Sequence, residues 1–284
     1  MKDLIYIKDN ALNSDLVHRV RKAYELEAAL TEEDIDKFEK ESNITIIDEL
    51  GTRKFAHRGI ARGTSGRGLD LNAKNSYDLN FKRGQFWWDL VLELEAEMRY
   101  FMREHLIQTV YSKDLYPSEK YDNVIEMMDN YSTNSPTFFP VQQVQHYKMN
   151  EGHFNNFHYD DTFDREIIYK HPYKPEKYVI RRLFVVMFYL NTVKEGGETQ
   201  FRYTDTSIKP VEGRGVIFPA SFPYMHRGII PTSSDKLILT TWLCLDPSKY
   251  IARHYNSRNK KESWASLPLI PERSPSELTN IKGI

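Results

Sequence analysis

Apolar and polar positions along the chain follow two periods, and the change between them falls near Thr137. Before that point the spacing is helical. Leu16, Val17, Val20 and Tyr24 fall on one face of a helix that Ser14 is placed to cap. Trp87, Leu90, Val91, Leu94, Met98 and Phe101 form one stripe of a longer helix over 85–106, the pattern of ordinary core packing. From Thr137 to about Leu245 the apolar residues come in short runs rich in β-branched and aromatic side chains, separated by Gly, Pro, Asp and Asn. These runs predict strands at 141–147, 182–190, 199–203, 215–218 and 236–245. Many short strands without intervening helices make an antiparallel barrel or sandwich rather than a parallel sheet. Three regions follow: a helical support over 1–136, a β-rich core over 137–246, and an irregular, proline-containing arm over 247–284.

Two long loops interrupt this pattern. Residues 162–179 are polar and carry Tyr169, Tyr173 and Tyr178, which could close over an extended chain. Residues 51–70 hold Arg53, Lys54, Arg58, Arg62 and Arg67 with no acid before Asp70. Loops of this length are often functional.

Composition narrows the classes. Thirty-nine basic residues against forty acidic ones leave a net charge of -1, so no bulk field attracts nucleic acid or an anionic membrane. One cysteine, Cys244, excludes an internal disulfide and a thiolate zinc site. No stretch approaches the roughly 20 apolar residues of a spanning helix, and the charged segment 1–9 lacks the apolar run of a signal peptide. The expectation is a soluble, cytoplasmic globular protein with no membrane partner.

The chemistry concentrates in Asn155-Asn156-Phe157-His158-Tyr159-Asp160. In an extended strand, residues two apart share a face about 7 Å apart, so His158 and Asp160 can converge on one metal ion. His226 is the best-placed third ligand, after the apolar strand that ends at Pro219 and before Ile229-Ile230. Two histidines and one carboxylate with open positions form the facial triad of non-haem Fe(II) oxygenases. The same set also holds catalytic zinc, so the triad alone leaves the metal open. Lys236 bears on the choice. In an alternating strand Lys236, Thr240 and Trp242 share one face, and Leu237, Leu239 and Leu243 the other. A lysine beside a buried tryptophan either meets an anion or snorkels out at the strand end. A carboxylate-bearing cosubstrate inside the barrel would be that anion.

Taken together, these residues resemble the Fe(II)/2-oxoglutarate-dependent dioxygenases of the prolyl 4-hydroxylase-like group, over about 141–245. Tyr147 and Gly152 before His158 are similar to the strand and turn leading into the family's His-x-Asp pair. Tyr189-Leu190-Asn191 followed by Gly196-Gly197-Glu198-Thr199-Gln200-Phe201 resembles its Tyr-Leu-Asn strand and Gly-Gly-x-Thr-x-Phe turn. His226, Lys236 and Trp242 match the order and spacing of its distal ligand, cosubstrate base and core tryptophan.

The resemblance implies a mainly β fold, a double-stranded β-helix (jelly-roll, cupin-like) flanked by N-terminal helices. It implies Fe(II) on His158, Asp160 and His226, with Lys236 on the distal carboxylate of 2-oxoglutarate, helped by Tyr189. Tyr147 and Thr240 would line that pocket and Trp242 would pack against it. Oxygen is the second cosubstrate, and ascorbate is admitted as a reductant. Arg182, seven residues before Tyr189, also fits the family pattern as a substrate residue, although odd spacing puts it on the opposite face unless a bulge intervenes. Asn155 stands where the family often has an aromatic residue, and Val185 where it commonly has threonine.

The implied activity is hydroxylation of a prolyl residue in a peptide or protein, with release of succinate and CO2. The alternative substrate is a free amino acid or another small metabolite. Oxidative demethylation of nucleic acid would draw on the basic 51–70 loop, but Lys236 stands where such enzymes typically use arginine. A non-catalytic binding barrel conflicts with the intact triad.

Overall fold

The structure, a computed structural model, describes residues 4–42, 56–58, 70–81, 87–109, 137–161, 166–167, 178–179 and 181–245. The chain enters through strand β1 (Tyr6–Lys8) and helix α1 (Ser14–Ala28). Asn13, one residue earlier than expected, caps α1, its side-chain oxygen accepting from the Leu16 amide at 2.8 Å. After α2 (Glu32–Ser42) come β2 (Ala56–Arg58), β3 (Lys74–Asn75) and β4 (Tyr77–Phe81). These strands were not part of the helical reading of this region. Helix α3 (Trp88–Gln108) follows. Trp87 packs against the same core as the stripe but lies outside the helix. It sits in the left-handed region before the first turn, and its indole donates to Glu27 on α1 at 2.8 Å.

The β-rich part begins with β5 (Thr137–Phe138), β6 (Gln142–Tyr147) and β7 (His153–His158). A small hairpin, β8 (Glu166–Ile167) with β9 (Tyr178–Val179), carries the only described residues within 163–179. Then come β10 (Arg181–Tyr189), β11 (Thr199–Phe201), β12 (Ser207–Ile208), β13 (Gly215–Pro219), β14 (His226–Gly228) and β15 (Lys236–Leu245). Apart from β2 and Asp70 the basic 51–70 loop lies outside the described residues, as does the arm over 247–284.

Two antiparallel sheets form a β-rich jelly roll. The larger runs β1-β13-β10-β15-β6-β4-β2, with β5 beside β15, and the smaller runs β12-β11-β14-β7-β3. Alternation along the central strands builds two cores at once. Val186 and Phe188 of β10, with Leu239 and Leu243 of β15, pack under Leu16, Val20, Leu94, Met98 and Phe101 of the helices. Val185, Met187 and Tyr189 of β10, with Ile238, Trp242 and Cys244 of β15, face Phe201 and Ile208 of the smaller sheet. Each fully buried Leu, Val or Phe in these layers contributes about 1.5–3 kcal/mol. The helices therefore cover the back of the larger sheet and leave the space between the sheets for chemistry. Among the described residues no helix is long and apolar enough to cross a membrane.

Candidate functional site

Strand β7 stops at His158, so Asp160 lies just past it and does not share a strand face with His158. The loop brings it back. The amides of Asp160 and Asp161 both donate to the Ala220 carbonyl, at 2.8 and 2.9 Å, which ties the end of β7 to the end of β13. His226 is not part of the apolar strand before it but opens the separate strand β14, paired directly opposite His158. His158, Asp160 and His226 thus come together, with one ligand atom from each lying within 4.8 Å of the others.

The surrounding bonds orient all three. Each imidazole has its Nδ1 on a backbone carbonyl two residues earlier, His158 on Asn156 at 3.0 Å and His226 on Tyr224 at 3.2 Å. Both Nε2 atoms are thereby directed to the shared centre. The Trp242 indole donates to Asp160 Oδ2 at 3.1 Å, while Oδ1 lies 3.9 Å from His158 Nε2. Phe154 stacks on the His158 ring, 3.7 Å between centroids and 14° between planes. It stands four residues before His158, where the aromatic expected three before is Asn155.

Burial pushes His158 down to about 4 and also lowers His226, so both rings are neutral and able to ligate. For Asp160 burial opposes ionisation, but the two histidines and Arg182 outweigh it and hold the carboxyl below its usual range. Two neutral nitrogens and one carboxylate fit a ferrous ion.

Lys236 is 2 % exposed, so it does not snorkel. Its ammonium donates to the Gly197 carbonyl at 2.8 Å and lies 5.0 Å above the Tyr147 ring. Gly197 has a φ of +75°, and a Cβ there would meet the Lys236 stem at 3.3 Å, which accounts for glycine in the turn. Two ammonium protons remain for an anion. Burial lowers the Lys236 pKa to about 8, with Glu198 acting weakly the other way.

Tyr189 is buried nearby, and its hydroxyl donates to Thr199 at 2.8 Å. Tyr147 donates to Gln145 at 2.6 Å. Thr240 is buried, and its hydroxyl has no partner among the described residues. A register shift between Arg182 and Phe184 supplies the bulge that brings Arg182 to the barrel side. Its guanidinium lies 3.7 Å from the Trp242 ring and 3.4 Å from the Asp160 carbonyl.

A buried ion pair was not foreseen. Lys74 of β3 meets Asp78 of β4 at 2.6 Å, and Ser76 donates to the same carboxylate at 2.7 Å. Lys74 also stands opposite Phe154 in the β3–β7 pairing, with its ammonium 5.6 Å from that ring. Nothing in the local sequence marks these residues apart from ordinary surface charges.

Two histidines and one carboxylate with open positions form the facial triad of non-haem Fe(II) oxygenases. Residues 142–244 match the 2OG-Fe(II) oxygenase superfamily, and this segment is a 2-oxoglutarate-dependent dioxygenase domain using Fe(II), 2-oxoglutarate and O2. Among solved structures it is similar to the viral collagen prolyl hydroxylase of Paramecium Bursaria Chlorella virus-1 bound to 2OG. The identity is 18%, over 86% of this chain and 97% of that one, with a TM-score of 0.47. A Pseudomonas putida prolyl-4-hydroxylase shares 14% identity over 85% of this chain and 93% of its own, with a TM-score of 0.46. A Trichoplax adhaerens prolyl hydroxylase, in complex with a hypoxia inducible factor peptide fragment, shares 10% over 88% and 87%, with a TM-score of 0.48. No curated protein matches the chain.

Proposed function

We propose that His158, Asp160 and His226 hold the ferrous ion, and that the enzyme hydroxylates a C–H bond of a prolyl residue in a peptide or protein. The convergence of the three ligand atoms within 4.8 Å carries this reading. Bound iron supplies the oxidising power that couples decarboxylation of 2-oxoglutarate, giving succinate and CO2, to hydroxylation of the substrate. Lys236 binds the distal carboxylate of 2-oxoglutarate by a charge-assisted hydrogen bond. The Tyr147 ring and the Tyr189–Thr199 pair shape that end of the pocket. Trp242 steers the Asp160 carboxylate by occupying one of its oxygens, and Phe154 holds the His158 ring in plane. Arg182, stacked on Trp242, closes the substrate side. The choice of a prolyl residue rests on the blocks around Tyr147–Asp160 and Tyr189–Phe201, which resemble the prolyl 4-hydroxylase-like group.

The test is spectroscopic and then catalytic. Anaerobic addition of Fe(II) and 2-oxoglutarate gives a visible charge-transfer band that His158→Ala abolishes. A band that survives this substitution refutes the ligand set. Succinate release is then compared among proline-containing peptides, free amino acids and methylated oligonucleotides. Greater stimulation by either of the last two than by the peptides refutes the prolyl assignment.

A further inference from the structure

The strands that turn metal ligands inward carry a second set of side chains outward. Between β11 and β14, Phe201 pairs with His226 and Gln200 with Arg227. Phe201 belongs to the core between the sheets, so alternation puts Gln200 and Arg227 on the outer face of the smaller sheet. Phe157, one residue before His158, joins them there. The Arg227 guanidinium lies 4.7 Å from the Phe157 ring centre and donates twice to Gln200 Oε1, at 3.1 and 2.9 Å. Arg202, just past the end of β11, lies 5.6 Å from the Phe157 ring and 5.6 Å from the Tyr203 ring. Tyr203 in turn meets Phe222 edge to face, 5.4 Å between centroids.

This face differs from ordinary surface in two respects. Tyr203 is 52% exposed and Phe222 68%, so two adjoining large rings stand in water. Neither arginine has a carboxylate partner among the described residues, whereas Arg19 and Arg214 are each met by an acid at 2.6 Å. Both guanidiniums are nevertheless held, Arg202 by aromatic rings and Arg227 by Phe157 and Gln200, with part of each N–H fork unused. An arginine fixed on aromatic faces is pre-organised to bind a carboxylate. Phe222 stands two residues past Ala220, whose carbonyl ties down Asp160, so the patch begins at the metal end of the barrel.

We propose that this arginine–aromatic face docks an acidic segment of the polypeptide that brings the acceptor residue to the iron. Two guanidiniums without acidic partners select carboxylates by charge complementarity, and the exposed rings of Tyr203 and Phe222 cover apolar parts of the same segment. Nucleic acid fits less well. Proteins that hold a duplex by its phosphates commonly make about 6–10 such contacts, and this face offers two arginines on a chain of net charge -1. A second copy across a two-fold axis would set like charges against each other. The inference rests on the peptide or protein substrate read above and adds to it a docking surface outside the barrel.

The probes are fluorescently labelled proline peptides of one length, flanked by glutamates in one and by glutamines in the other. A single-stranded oligonucleotide with as many phosphates as the first has glutamates is the third. Binding is read by anisotropy, without oxygen, on the protein loaded with Fe(II) and 2-oxoglutarate, and the charge-transfer band is recorded in the same samples. The glutamate peptide should bind more tightly than the glutamine peptide, and the difference should shrink as salt is raised. Arg202→Gln and Arg227→Gln should each weaken the glutamate peptide about fivefold, the upper range for one exposed ion pair, and leave the glutamine peptide unchanged. Phe222→Ala should weaken both peptides by the same factor. Arg202→Glu combined with Arg227→Glu should prefer a lysine-flanked peptide, a reversal that a merely structural role would not produce. The band should be unchanged in every variant.

Equal affinity of the wild type for the glutamate and glutamine peptides, or binding of neither, overturns the inference. So does a glutamate preference that survives in both arginine variants. Tighter binding of the oligonucleotide than of the glutamate peptide assigns the face to phosphates and overturns it too. A wild-type dimer in sedimentation that Phe222→Ala dissolves assigns the face to a second copy, with the same result. Succinate release separates this from the substrate reading: a docked glutamate peptide with no stimulated turnover of any proline peptide removes the prolyl assignment and leaves the docking surface in place.

Discussion

Replacing Lys236 tests the cosubstrate pocket through both charge and pH. The lysine is fully enclosed, and burial brings its pKa from 10.5 to about 8. With the pocket free of cosubstrate this depression has a definite sign. The folded protein disfavours the charged form, so stability is greatest above the unfolded value of 10.5 and declines as pH falls toward 8. Below that the cost is complete, at about 3 kcal/mol. A bound carboxylate reverses the preference, because only the ammonium can pair with it. The protonated fraction falls from about nine-tenths at pH 7 to about one-tenth at pH 9 when the pKa is near 8. The affinity for 2-oxoglutarate should therefore fall about tenfold over that interval.

Lys236→Arg keeps its charge throughout and should show a flat profile. Lys236→Met leaves the distal carboxylate buried and unpaired, a loss of about 3–5 kcal/mol, or roughly a hundredfold to several thousandfold in affinity. The same variant without cosubstrate should be more stable than the wild type at pH 7. Anaerobic titration of the Fe(II) band from pH 7 to 9 measures the affinities, and urea unfolding measures the stability. Methionine binding 2-oxoglutarate as tightly as lysine would refute the anchoring role. A flat wild-type profile would refute the lowered pKa.

Two further outcomes concern the scaffold. His105 is buried against Tyr6 and Phe184, its Nε2 has no partner among the described residues, and burial lowers its pKa to about 4. Stability should be intact above 6.5 and fall by about 3 kcal/mol as pH drops toward 4, and His105→Leu should flatten that part of a urea-unfolding profile. Phe188 is fully buried with its ring 5.4 Å from Phe101, so Phe188→Ala should cost about 3–5 kcal/mol in the same assay.

The elements easiest to read in the sequence were those whose periodicity is long. Helix α3 buries Leu90, Val91, Leu94, Met98 and Phe101 as the stripe requires, and β15 keeps Leu239 and Leu243 apart from Trp242 over ten residues. Strands β1 to β4 have two to five residues each, too few alternations to rise above a helical background, and they exist because distant strands accept them. The His158, Asp160 and His226 grouping was legible as residue types in order, while its geometry differed in detail. Asp160 returns through hydrogen bonds to Ala220, a contact across sixty residues that no local pattern encodes. The face of Arg182 turned on one bulge, which simple alternation cannot place. The Lys74–Asp78 pair was missed because polar residues at strand spacing look the same whether they meet water or one another.

The pairing of Tyr6 with Ile217 has a consequence in time. At about 5–20 residues per second on the ribosome, β1 emerges roughly ten to forty seconds before its partner strand exists. It must stay unpaired through most of synthesis and can join β13 only once that strand has formed. The other outer strand, β2, also comes from early in the chain and waits for β4 and β6. Both rims of the larger sheet are thus made before the strands that join them to its centre. A shortened chain beginning at β6 would leave β13 and β6 as raw edges open to neighbouring molecules. The segment that carries the oxygenase signature depends on the preceding one for its solubility as it folds.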